Sequence, residues 1–154
     1  MKKLFGFLMI AAMVLITGCS KQEKSSLSIP YETYKLGNGL TVILNEDKSD
    51  PITSLVILYH VGSSRDVPGK TGFAHLFEHM MFQRSENVGE DQFFKYIEGA
   101  GGTLNGGTSY DQTIYFEVVP KNALEMAMWL ESDRMGYLIN TVTPQSFALQ
   151  QNVV

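Results

Sequence analysis

Ten residues, Phe73 to Phe82, run without a glycine or proline, and no other stretch restricts the fold as much. They read Phe73-Ala74-His75-Leu76-Phe77-Glu78-His79-Met80-Met81-Phe82, directly behind Thr71-Gly72, which predicts a helix opening at that glycine. At about 100° per residue, His75 and His79 fall within roughly 40° of each other, and Glu78 about 60° to the other side of His75. One narrow face therefore carries two imidazoles and a carboxylate, while Phe73, Phe77 and Met80 face away. Neutral imidazole is a common metal ligand, and a carboxylate beside it can take a proton from an attacking water. The plain alternative is an amphipathic helix that holds two histidines by chance. The whole sequence has only three histidines, and two of them stand here at ligand spacing beside Glu78.

The chain opens with a targeting segment, residues 1–18, that stands apart from the fold. Lys2 and Lys3 form its charged end and Leu4 to Ile16 its apolar run, too short to span a bilayer comfortably. Ile16-Thr17-Gly18-Cys19 resembles a bacterial lipoprotein box, which implies cleavage before Cys19 and lipid on its sulfur. Ser20 follows, favouring an outer-membrane anchor facing the periplasm. Cys19 is the only cysteine, so no intramolecular disulfide forms. Without residues 1–18 the chain keeps 10 of its 12 Lys and Arg and all 16 Asp and Glu, a net charge near −6. Such an acidic chain with no basic run is a poor partner for nucleic acid. Residues 19–30 read as a polar tether, and 31–154 as one domain large enough for a real core.

Within 31–154, Tyr31 to Leu36 and Leu40 to Leu44 flank Gly37-Asn38-Gly39, a hairpin signal. Ile52 to Val61 is almost continuously β-branched and aliphatic, the pattern of a strand buried on both faces. His60 ends it without a partner at ligand spacing and reads as structural or exposed. Pro68-Gly69-Lys70-Thr71 has the look of a phosphate loop, but Ser64 stands where that motif needs its first glycine, and Pro68 removes an N–H from the cradle. Glu90 to Glu98 predicts a short helix with Phe93, Phe94 and Ile97 inward and Gly99 as its stop. The glycine-rich 99–107 reads as a loop or as backbone that something approaches closely, and Thr113 to Val119 as a strand. Asn122-Ala123-Leu124-Glu125 resembles a capping box opening a helix through Met135, stopped by Gly136. Thr143-Pro144 starts another helix, expected to reach Val154.

Taken in order, several of these stretches resemble the N-terminal part of the M16 (insulinase/pitrilysin-type) zinc metallopeptidases, from about Tyr31 to Val154. They are Asn38-Gly39-Leu40, Val61-Gly62-Ser63, the Thr71 to Phe82 segment, Gly101-Gly102 with Asn105, and Glu131-Ser132-Asp133-Arg134-Met135. His75, Glu78 and His79 stand in the inverted H-x-x-E-H order of zinc peptidases. The resemblance implies an α+β fold, helices packed on one face of a largely antiparallel sheet. It implies zinc on His75 and His79, Glu78 as general base, and Asn105 on a strand that binds peptide by edge addition.

It also implies a third ligand, a glutamate expected just past Val154, and a second M16-type half in the same chain or a partner subunit. Glu131 and Asp133 follow His79 too closely to be that ligand, and no acidic residue stands between Arg134 and Val154. The expectation is a zinc metalloendopeptidase acting on peptides or small unfolded proteins, represented by its N-terminal part, which alone would bind zinc weakly and lack turnover. The rival reading is a non-catalytic peptide-binding lipoprotein or partner subunit. Glu78 favours the enzyme, because a binder has no need of the base.

Overall fold

The computed structural model describes residues 28–154. The expected leader 1–18, Cys19 as the expected lipidation site and most of the expected 19–30 tether lie outside these residues. The chain divides into two compact units, one ending at Asp47 and the other spanning Lys48–Val154. The described part of the first is a hairpin, β1 (Glu32–Lys35) antiparallel to β2 (Thr41–Leu44). Its turn works as the Asn-Gly signal predicts: Gly39 takes φ 91°, and Asn38 Oδ1 accepts from the Leu40 N–H at 3.1 Å.

The second unit holds a three-stranded antiparallel sheet, order β3-β5-β4, built from β3 (Ile52–Tyr59), β4 (Thr103–Thr108) and β5 (Thr113–Pro120). Four helices accompany it: α1 (Phe73–Met80), α2 (Gln92–Gly99), α3 (Leu124–Tyr137) and α4 (Pro144–Gln151). None is long and apolar enough to cross a membrane. The core gathers Phe93 and Ile97 of α2, Val119 of β5, and Ala127 and Leu130 of α3, with Val88 and Ala123 beside them. Helices thus lie on the sheet face that carries Tyr115, Glu117 and Val119, giving the α+β arrangement expected.

Several local expectations are corrected. β3 is not buried on both faces: Ile52, Val56 and Leu58 are exposed, alternating with half-buried Thr53, Leu55, Ile57 and Tyr59. Hydropathy cannot tell a strand covered twice from one covered once. In α2, Phe93 and Ile97 point inward but Phe94 is partly exposed, its ring 5.2 Å from that of Phe82. The 122–125 capping box does not form. A 3-10 turn, Lys121–Ala123, occupies its place, and the N-cap Ala123 makes no side-chain cap bond. Gly136 does not stop α3, which continues to Tyr137. The Thr143 cap does form, with Ser146 completing a capping box, though α4 ends at Gln151 rather than Val154. The glycine-rich segment resolves into β4.

Residues 62–64 are fastened to the β4–β5 turn. The Ser63 N–H donates to Ser109 O at 3.0 Å and the Ser64 N–H to Tyr110 O at 2.9 Å, and Ser64 Oγ reaches Tyr110 O and Asp111. Gly62 permits this approach. At its φ of 151°, a Cβ would stand 2.5 Å from Tyr110 O and 2.6 Å from Ser109 O. Gly62→Ala is expected to destabilise the protein by roughly 1–3 kcal/mol, read as a lower urea midpoint. An unchanged midpoint would mean that the junction yields freely.

Candidate metal centre

α1 opens at Gly72, which sits in the left-handed region at φ 91° and, lacking a side chain, offers no cap to the first-turn N–H groups. Asp66 supplies one from six residues upstream. Its Oδ2 accepts from the Gly72 N–H at 2.9 Å and its Oδ1 from the Ala74 N–H at 3.1 Å. Inspection of the sequence missed this contact; the glycine at the cap position, with an aspartate one loop earlier, was the available signal.

Two turns of helix then bring the predicted residues together. The His75 and His79 rings lie 4.9 Å apart at 71°. One ligand atom from each of His75, Glu78 and His79 falls within 4.8 Å of the others, and among the described residues no other such group forms. His75 is exposed, His79 half-buried, and Glu78 only 8% exposed. Glu78 Oε2 is buried and has no hydrogen-bond partner among the described residues. Two imidazoles beside an unsatisfied buried carboxylate oxygen suit zinc chemistry, because a bound cation with its water would relieve that oxygen.

Glu131 and Asp133, too near in sequence for the expected third ligand, are engaged elsewhere. Asp133 accepts from Ser85 Oγ and, at 2.5 Å, from Asn87 Nδ2. Glu131 receives both Nε and Nη2 of Arg134. His60 is exposed, with Nε2 2.7 Å from Arg65 Nη2. Asn105 lies outside the three-residue group. It is exposed on β4, and its Oδ1 accepts from the Gly106 N–H at 2.8 Å. The next residue ties that strand to the end of the metal helix: a Cβ on Gly106 would stand 3.1 Å from the Phe82 ring.

Behind Glu78 lies a mainly apolar cavity of about 670 Å³, lined by Phe77, Met81 and Leu138 among others and edged by Tyr59, Tyr115 and Arg134. Arg134 is buried, its guanidinium carbon 4.2 Å from the Tyr115 ring centroid and 4.6 Å from that of Phe93. It bonds Glu131 and, at 3.4 Å, Glu117 Oε1. Burial pushes the Tyr115 phenol up, so no charge forms on it beside Glu78. Two carboxylates thus share one guanidinium. Burial pushes the Glu117 carboxyl up to about 9, the adjacent Glu131 reinforces the shift, and Arg134 opposes it.

Glu117 keeps its proton when folded and loses it when unfolded, between its ordinary value near 4.5 and about 9. Its contribution is therefore whole below the lower value and is lost as pH rises toward the upper, at up to ~1.4 kcal/mol per pH unit. Glu117→Gln, which removes the titration but keeps the shape, should fall less steeply in stability between about pH 5 and 8 than the parent. Parallel curves from urea titrations would place the shared proton elsewhere.

Comparison with known proteins shows the family to which the chain belongs. The family model described as Insulinase (Peptidase family M16) matches residues 41–135. The chain belongs to that family, a family of peptidases. It is 30% identical over 138 residues to the zinc protease PqqE of Helicobacter pylori, covering 89% of this chain and 30% of that one. It is also 30% identical over 99 residues to the human insulin-degrading enzyme, covering 64% of this chain and 10% of that protein. Among solved structures, a protease from Helicobacter pylori superposes with a TM-score of 0.77 at 31% identity, over 81% of this chain and 30% of that one. Pitrilysin superposes with a TM-score of 0.67 at 26% identity, over 75% and 13%. The chain thus spans less than a third of the length of each.

Proposed function

We propose that these residues form the N-terminal part of a zinc-dependent metalloendopeptidase of the inverted H-x-x-E-H type, acting on peptides or small unfolded proteins. The observation that carries this reading is Glu78: a buried carboxylate oxygen without a partner, grouped within 4.8 Å with two imidazoles. His75 and His79 would hold the zinc, with a third protein ligand expected beyond Val154. When bound, zinc supplies Lewis acidity toward a peptide carbonyl and toward water. Glu78 takes the proton of the attacking water and returns it to the leaving amine. Its largely apolar surroundings limit the water that competes for that proton. β4 lies at one edge of its three-stranded sheet, so a peptide can pair with its free backbone groups, with Asn105 on the strand that receives it. A second M16-type half, in the same protein or a partner, would close over the substrate.

In the full-length protein, Glu78→Gln should retain zinc and lose peptide hydrolysis by ~10²–10⁴-fold or more. Near-normal turnover with zinc still bound would assign the base to another residue. The anchoring proposal rests on Ile16 to Cys19 and the leader before them. It places the protein on the bacterial outer membrane, facing the periplasm. Mass spectrometry of the mature protein should find Cys19 at the N-terminus carrying lipid. Retention of residues 1–18, or an unmodified Cys19, would remove the anchor from the account.

A further inference from the structure

We infer that Asp66 is a positioning residue for the metal centre: its carboxylate fixes the first turn of α1 and thereby the placement of His75 and Glu78. This rests on the zinc reading proposed above. The two oxygens of Asp66 accept from the Gly72 and Ala74 N–H groups, on either side of the start of α1, and Ala74 immediately precedes His75. Gly72 has no side chain with which to do this, and α1 has no acidic residue in its first turn, so the cap comes entirely from outside the helix. A carboxylate there also complements the positive end of the helix dipole.

What distinguishes Asp66 from an ordinary cap is where its own backbone is held. Its N–H donates to Ser63 O at 3.3 Å, and Ser63 and Ser64 are in turn bonded to Ser109, Tyr110 and Asp111 in the turn that joins β4 to β5, where Gly62 makes room for the contact. Asp66 therefore registers the ligand helix against the hairpin whose first strand carries Asn105. At the other end of α1, Phe82 meets the same strand at Gly106. Removing the carboxylate frees only the end of the helix from which His75 projects.

The test compares Asp66→Ala, Asp66→Asn and Asp66→Glu with the parent full chain by zinc competition against a chromophoric chelator. Ala127→Gly, in the core of α3 and away from α1, is the control, expected to lower the melting temperature without touching the cap. Outer-shell changes typically weaken metal binding about 10–100-fold, and Asp66→Ala should weaken it about tenfold. Asn or Glu should recover part of the loss, and the control should stay within about twofold. Hydrogen exchange should show the Gly72, Ala74 and Leu76 amides losing protection in Asp66→Ala while β5 keeps its own. Unchanged zinc affinity in Asp66→Ala, or an equal loss in the control, overturns the inference. His75→Ala separates the two readings. If parent and His75→Ala bind zinc alike, the metal reading fails, and exchange at Gly72 and Ala74 then decides alone whether Asp66 fixes the helix.

Discussion

The buried guanidinium of Arg134 is the interaction on which the second unit depends. Three aromatic rings, Phe82, Phe93 and Tyr115, lie within contact of it, and Glu131 accepts from its Nε and Nη2 while Glu117 accepts from Nη2, leaving Nη1 without a partner among the described residues. The rings come from the end of α1, from α2 and from β5, so one side chain of α3 draws together most of the elements behind the metal helix. Such a buried cluster carries a desolvation cost that its own Coulomb attraction offsets only with good geometry. With two carboxylates for one guanidinium, the arrangement also requires the proton that Glu117 retains.

Much of this was legible because it is local. The helix at 73–80 follows from side-chain periodicity, and with it the convergence of His75, Glu78 and His79. The hairpin at Gly37-Asn38-Gly39 and the Thr143 cap depend on residues only a few positions apart. What escaped sequence reading depends on partners distant along the chain. Glu131 and Arg134 are three apart on one helix, but nothing in the sequence says that Glu117, on another element, meets them. Its inward register between Tyr115 and Val119 was the signal available. The residues around Asn122 matched a capping box, yet the backbone closed a tighter 3-10 turn there instead. β3 misled because its composition records affinity for a sheet and says nothing about how many of its faces are covered.

The helix that carries His75, Glu78 and His79 is only eight residues long, and both of its ends are tied. Asp66 holds its start. Beyond its end, Ser85 and Asn87 bond Asp133, and Asn140 bonds Glu86 at 2.6 Å, so the following loop is sewn to α3 and the turn behind it. A rod this short, clamped at both ends, has little freedom to twist about its axis. The imidazoles are consequently presented at a preset angle, which any ion held there under the proposed function would have to accept. On that reading, coordination geometry would favour an ion without strong directional demands of its own over one that insists on a square or octahedral frame.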